Sequence, residues 1–225
     1  MKIGILQTGI VPENLADAHG QYPHMFGQFL AGHGFEYEVF SVVEEVFPVS
    51  VNDCDGWLIT GSKHAAYEDH AWIPPLEDFI REAYAKGIPM CGICFGHQIM
   101  AQALGGTVEW FGGEWGVGNR EYTHNDGSKS TLLAMHQDQV IERPPEAKVT
   151  ITADYCKNAG FAYSGKAISI QAHPEFTAPF MKDLINERIG TVVPEDQALE
   201  ALTTLEQEND ASKFAVQIAE FFKAA

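Results

Sequence analysis

The feature that most restricts how this chain can fold is a cysteine between two glycines, placed where a strand turns directly into a helix. Residues 92–96 read Gly-Ile-Cys-Phe-Gly. The apolar run 88–93 predicts a buried strand, and residues 97–104 predict a helix that ends at Gly105 and Gly106. Because almost no loop separates these elements, the backbone must bend sharply at Cys94, and glycine on either side allows that bend. The sequence therefore predicts that Cys94 projects above the end of a sheet flanked by helices.

Apolar runs and helical patterns alternate along the rest of the chain, which is typical of an α/β fold. Further strands are predicted over residues 2–7, 37–43 and 56–60, with helices around residues 22–30 and 76–84. This alternation predicts one domain over residues 1–225 that contains a doubly wound, mostly parallel sheet between helices. Shorter runs between residues 107 and 170 predict a smaller antiparallel or mixed region of strands, and the tail from residue 178 predicts helices.

The charge of the chain restricts its partners. The 14 Lys and Arg residues stand against 31 Asp and Glu residues, which gives a formal net charge of −17. Such a charge repels phosphate backbones and anionic lipid, so we expect neither nucleic acid nor a membrane as a partner. The apolar stretch at the N-terminus is too short for a signal peptide or a membrane span, which predicts a cytoplasmic protein.

The four cysteines are too few and too unevenly placed to predict a disulfide framework. Cys91 and Cys94 form a C-x-x-C pair, so zinc binding and dithiol redox chemistry are alternatives to a nucleophilic Cys94. A zinc site of this kind needs a second ligand pair at similar spacing, whereas Cys54 and Cys156 stand alone. We therefore predict no bound metal and no cofactor.

A nucleophilic thiolate needs a base, and the end of another predicted strand supplies one. Cys94 lies at the N-terminus of the following helix, where free N–H groups and the helix dipole favour a thiolate. His173 and Glu175 follow the predicted strand 167–172. With one residue between them, both can leave the strand on the same side, so that the carboxylate orients the imidazole toward Cys94. The alternative is a core cysteine beside a tight turn and a histidine without a catalytic role.

Five segments, in order, resemble those of the class I glutamine amidotransferases. Residues 91–106 (CGICFGHQIMAQALGG) resemble the nucleophile segment, and residues 171–176 (QAHPEF) resemble the H-P-E segment. Residues 58–62 (LITGS) are similar to the family's oxyanion turn, residues 135–140 (MHQDQV) to its glutamine-binding stretch, and residues 114–116 (EWG) to a segment of GMP synthetase relatives. The resemblance implies a flavodoxin-like fold and chemistry on a γ-glutamyl amide.

The resemblance also implies a role for each matching residue. Cys94 would attack the amide carbon and form a thioester, His173 would transfer protons, and Glu175 would orient the imidazole. The backbone N–H groups of Gly61 and Phe95 would hold the oxyanion.

Three further residues are expected to bind the small-molecule substrate, which is glutamine or another γ-glutamyl compound. Gln98 resembles the residue that contacts the substrate glutamine. Gln137 and Asp138 are candidates for its α-amino and α-carboxylate groups, through their backbone atoms.

The sequence does not identify the leaving group of the reaction, which is either ammonia or a larger amine. One hypothesis is a stand-alone glutaminase that passes ammonia to a separate synthetase subunit, because no P-loop or nucleotide pyrophosphatase motif is found. The alternative is a γ-glutamyl peptidase, since residues 63–73 resemble stand-alone members of the group. His64, Tyr67, Glu68 and Trp72 would then line a larger pocket. A non-catalytic regulator is a third hypothesis, against which the intact cysteine, histidine and glutamate set argues.

Overall fold

The fold is dominated by one nine-stranded sheet, seen in a computed structural model that describes residues 1–224. Ala225, the last residue of the predicted domain, lies outside the described residues. The strand order is β2-β1-β3-β4-β11-β10-β9-β6-β7, and β5 and β8 form a separate two-stranded sheet. The strands are β1 (Lys2–Leu6), β2 (Glu36–Phe40), β3 (Gly56–Ile59), β4 (Met90–Ile93), β5 (Thr107–Glu109), β6 (Gly116–His124), β7 (Lys129–His136), β8 (Gln139–Glu142), β9 (Ala147–Ala153), β10 (Cys156–Tyr163) and β11 (Ala167–Ile170).

The first five strands of that order are parallel to one another, and the remaining four are joined by antiparallel pairing. The predicted α/β class, with a mainly parallel sheet and a smaller antiparallel region, is therefore confirmed. The helices are α1 (Glu13–His19), α2 (Tyr22–Phe29), α3 (Ile73–Lys86), α4 (Phe95–Ala103), α5 (Ala178–Arg188), α6 (Glu195–Thr204) and α7 (Ala211–Ala224).

Helices cover both faces of the parallel strands because alternate strand residues point to opposite sides. Leu6 and Ile59 pack in one core with the apolar sides of α3 and α4. Ile3 and Ile5 pack in a second core with α2 and α7. A third core lies between the β6–β7 hairpin and helices α1, α5 and α6. The carboxyl ends of β3, β4 and β11, which are neighbours in the sheet, thus meet at one edge between helical layers.

Two details differ from the sequence predictions. Helix α4 begins at Phe95, two residues before the predicted start at 97, so that Cys94 itself occupies the cap position. Helix α1 was not predicted, because Leu15 is its only buried residue and no side chain caps its N-terminus. Among residues 1–224, no helix has both the length and the apolar character that crossing a membrane requires.

Candidate active site

Cys94 lies at the bend between β4 and α4 in a strained backbone conformation. Its φ is 53° and its ψ is −104°, a region that non-glycine residues rarely occupy. The two flanking glycines are required by close packing: a Cβ at Gly92 would lie 2.4 Å from the carbonyl oxygen of Gly96, and one at Gly96 would lie 2.3 Å from that of Ile59. The backbone N–H of Cys94 donates to Ile170 at 2.9 Å, which ties the bend to β11.

His173 and Glu175 follow β11 and lie beside Cys94, buried at the same edge of the sheet. Nδ1 of His173 donates to Oε1 of Glu175 at 2.7 Å. The imidazole stacks on the ring of Phe176, with centroids 3.9 Å apart and planes 7° from parallel. The backbone N–H of His173 donates to Leu133 in β7 at 2.8 Å. The ring is thus held in one orientation by the carboxylate, the stacked aromatic ring and its own backbone.

The charges around His173 favour its protonated form. Burial disfavours the imidazolium, but the neighbouring Cys94 and Glu175 outweigh burial through charge and hydrogen bonding, and they raise the pKa of His173 to about 10. A buried cation needs an anionic partner, and the Glu175 carboxylate hydrogen-bonded to the ring provides one. The arrangement brings together a cysteine side chain, an imidazole and a carboxylate that orients the imidazole.

The two predicted oxyanion donors lie next to this pair. A Cβ at Gly61 would lie 2.8 Å from Cε1 of His173 and 3.7 Å from the Cβ of Cys94, so the Gly61 backbone directly faces both residues. Phe95 is the first residue of α4. Among residues 1–224, the N–H groups of Gly61 and Phe95 do not donate to any backbone carbonyl oxygen. Two free donors therefore flank the cysteine, as an oxyanion site requires.

Gly61→Ala should lower kcat by about 100- to 1,000-fold, which is the usual effect of losing one oxyanion donor. The added methyl group would push against the His173 ring and displace either the ring or the Gly61 N–H. Steady-state hydrolysis of a γ-glutamyl amide is the measurement, with Gly165→Ala as the control for replacing a glycine. A Cβ at Gly165 meets open space, although its φ of 77° makes that variant less stable. Equal activity of Gly61→Ala and the wild type would remove Gly61 from the site.

The cysteine lies in a cleft of about 640 Å³, and all three predicted substrate residues line its wall. Gln98 is buried, and its side-chain nitrogen donates to the Asp138 carbonyl oxygen at 2.8 Å. Oδ1 of Asp138 accepts from the Tyr67 hydroxyl at 3.1 Å. Gln98 and Tyr67 thus hold the segment that carries Gln137 and Asp138, and binding of substrate by Gln98, Gln137 and Asp138 stays a prediction.

Gln171 is a site residue that the sequence reasoning did not single out. It is fully buried, and its Nε2 donates to Sγ of Cys94 at 3.6 Å while its Oε1 accepts from Gln98 at 3.1 Å. It lies in the QAHPEF segment, only two residues before His173. The sulfur therefore has an amide donor in addition to the imidazole, and this donor would stabilise a thiolate.

Gln171→Leu should lower kcat by about 10- to 100-fold, because a hydrogen bond to a charged group contributes about 1.5–3 kcal/mol. Asn119→Leu is the matched control, since Asn119 is also a buried amide and donates to the carbonyl oxygens of Thr204 and Gln207, away from Cys94. Both variants should lose thermal stability, and only Gln171→Leu should lose activity. Equal activity loss in the two variants would assign Gln171 a structural role alone.

Cys91 does not have the properties of a redox partner for Cys94. It is buried in β4, and burial, together with the nearby Glu175, raises the pKa of its thiol. All four cysteines are free. A dithiol mechanism needs a second accessible thiolate, so this geometry favours Cys94 acting without Cys91.

Comparisons with known proteins show which family and fold the chain is similar to. The family model described as glutamine amidotransferase class-I matches residues 14–188. The chain is 28% identical to gamma-glutamyl peptidase 4 of Arabidopsis thaliana over 91% of this chain and 88% of the relative. It is 29% identical to a glutamine-hydrolyzing GMP synthase of Clostridium novyi, over 72% of this chain but 32% of that protein. The crystal structure of a glutamine amidotransferase from Methylobacillus flagellatus shares the fold, with a TM-score of 0.77, 23% identity and coverage of 100% of this chain and 92% of that one.

Proposed function

Because this chain belongs to the class I glutamine amidotransferase family, we propose that it hydrolyses a γ-glutamyl amide through a thioester on Cys94. The observation that carries the proposal is the buried contact of Cys94, His173 and Glu175 at one edge of the sheet. The residues supply a nucleophile, a proton donor and an orienting carboxylate at the end of two adjacent strands, and Cys94 opens onto the cleft.

In the first half of the proposed reaction, the Cys94 thiolate attacks the amide carbon of the substrate. The carbonyl oxygen becomes an oxyanion, which the N–H groups of Gly61 and Phe95 stabilise. The His173 imidazolium donates its Nε2 proton to the amide nitrogen, the C–N bond breaks, and ammonia or an amine leaves. The raised pKa of His173 suits this step, because the ring is already protonated at neutral pH.

In the second half, the neutral His173 removes a proton from water, and the resulting hydroxide attacks the thioester carbon. The C–S bond breaks, glutamate leaves, and the thiolate–imidazolium pair is restored. Glu175 stabilises the imidazolium at both stages and keeps Nε2 directed at the reacting atoms.

Glutamine is the smallest substrate that fits this chemistry, and a γ-glutamyl peptide is a second candidate. The shape of the cleft favours the second, because the cleft extends from Cys94 along the loop that carries His64, Tyr67 and Glu68. Arg188 on α5 also lines the cleft and would attract a carboxylate on a peptide leaving group. The γ-glutamyl peptidase relative, similar over most of both chains, supports the same assignment.

A separate synthetase subunit is the partner that a glutaminase function would require. Trp110 and Val192 line the cleft with 62% and 54% of their surface exposed, and such apolar residues at a cleft mouth suit contact with another protein. The similarity to one third of a GMP synthase supports this partner class as a proposal.

Glutamate release from glutamine, glutathione and other γ-glutamyl conjugates tests the function and separates the two substrates. Mass spectrometry of the acid-quenched enzyme should detect a glutamyl adduct on a peptide that contains Cys94, and that adduct should be absent from Cys94→Ser. Efficient cleavage of peptides with negligible glutamine turnover would reject the glutaminase function. If none of these substrates releases glutamate and no adduct forms, the proposed chemistry is wrong.

A further inference from the structure

Two histidines and a glutamate form a cluster in the loop between β3 and α3. Oε2 of Glu68 lies 3.1 Å from Nδ1 of His64 and 2.7 Å from Nε2 of His70. The two imidazole centroids are 4.3 Å apart, and the three ligand-type atoms all lie within 4.8 Å of one another. His64 and Glu68 line the same cleft as Cys94.

These distances match the spacing of ligands around a small transition metal ion. Zinc–nitrogen and zinc–oxygen bonds of about 2.0–2.2 Å place tetrahedral ligand atoms roughly 3.3 Å apart. The Glu68–His64 separation of 3.1 Å is close to that value, and side-chain rotation would have to lengthen the Glu68–His70 separation from 2.7 Å. Imidazole and carboxylate together favour zinc or a similar divalent transition metal over calcium or magnesium.

The side chains around the cluster support a defined geometry. The His70 ring stacks on Trp72, with centroids 5.9 Å apart and planes 13° from parallel, and Trp72 is buried. The backbone N–H of His70 donates to the Glu68 carbonyl oxygen at 3.0 Å, which closes the loop between these two ligands. Side-chain exposures of 22% for His64, 43% for Glu68 and 34% for His70 leave the cluster open to an entering ion.

We propose that His64, Glu68 and His70 bind a divalent transition metal of the zinc class at the edge of the cleft. Three protein ligands leave the fourth coordination position of the metal free for water or for an atom of a bound substrate, as in catalytic zinc sites. The strongly negative net charge of the protein favours cation binding. The proposal departs from the sequence-based prediction of no bound metal, which considered only the four cysteines as ligands.

Zinc titration of the Cys94→Ser protein tests the site, because that background removes the thiolate that would otherwise compete for the ion. The other three cysteines are buried. Isothermal calorimetry should give one Zn²⁺ per chain, and Co²⁺ should give the visible absorption of a four-coordinate nitrogen and oxygen site. His64→Gln and His70→Gln should each weaken binding at least tenfold, whereas His33→Gln, which lies outside the cluster, should bind as the parent does.

Thermal unfolding provides a second readout that does not depend on catalysis. Saturating Zn²⁺ should raise the Tm of the parent and of His33→Gln, because a ligand that binds only the folded state stabilises it. The increase should be absent from His70→Gln. Failure of the parent to bind Zn²⁺, or equal binding by the parent, His64→Gln and His70→Gln, would overturn the proposal.

Discussion

Cys94→Ser should reduce γ-glutamyl amide hydrolysis by about 10⁴-fold or more. The remaining rate would be the one that substrate binding and the oxyanion donors provide without a nucleophile. A serine hydroxyl is a weaker acid and a weaker nucleophile than a thiol, so the site would lose the group that the proposed reaction uses for attack. Glutamate release under substrate saturation is the measurement, and circular dichroism confirms that the variant is folded.

Cys91→Ser is the matched control for this prediction, because it makes the same atomic change three residues away. It places a hydroxyl in the apolar core around β4 and should cost about 1–3 kcal/mol of stability. Its kcat should stay within about threefold of the wild type, since Cys91 does not contact the proposed reacting atoms. Parallel loss of activity in both variants would restore the dithiol interpretation.

Glu175→Gln should lower kcat by about 1,000- to 10,000-fold with little change in KM. The amide keeps the shape of the side chain but removes the charge that favours the imidazolium, and it can hold the ring in the wrong tautomer. Glu77→Gln is the control, since Glu77 accepts a hydrogen bond from Gln102 in a helix pair outside the cleft. If Glu175→Gln retains more than a tenth of the wild-type kcat, Glu175 does not orient the base.

The pH profile of Glu175→Gln gives a readout that loss of structure alone would not produce. Glu175 is one of the groups that raise the pKa of His173 from 6.5 to about 10, so the alkaline limb of kcat/KM should move to lower pH in the variant. The raised pKa of His173 also makes the stability of the folded protein depend on pH. A pKa that is higher in the folded state stabilises the fold fully below pH 6.5, and this contribution is lost as pH rises through 10.

Much of the fold and the centre of the site follow from local sequence patterns. The bend at Cys94 is predictable because glycines flank the cysteine where a strand pattern meets a helix pattern. The structure shows why these two positions need glycine: a Cβ at Gly92 or Gly96 would collide with the backbone. Strands β1, β3, β4 and β11 are predictable because each contains a short apolar run, and β2 is predictable from its Tyr, Val and Phe residues. The family resemblance, confirmed by the match over residues 14–188, depends on the same short segments.

The antiparallel half was predicted only in outline. The β6–β7 hairpin is not marked by a continuous apolar run, because β6 begins with Gly116, contains Gly118 and is partly polar. The turn itself carried a usable signal: Asn125, Asp126 and Gly127 precede β7, and Gly127 adopts a φ of 82°. Asp-Gly between two strands is a strong local indication of a hairpin.

Contacts made by long-range packing explain the site residues that were missed. Gln171 has no distinguishing residue type, and only the pairing of β11 with β4 places its amide against Cys94. His64 and Glu68 were considered only as lining of a pocket. Their convergence with His70 depends on the path of an irregular loop, which periodicity does not describe.

The adjacency of β4 and β11 in the sheet also bears on how the protein acquires its activity while it folds. The two strands are parallel neighbours, with Ile93 opposite Ile170, although 76 residues separate them in the chain and include the whole antiparallel region. Closing so long a connection is entropically costly and slow compared with forming the helices. We therefore expect catalytic competence to arrive with one of the late steps of sheet assembly, after the helices have formed.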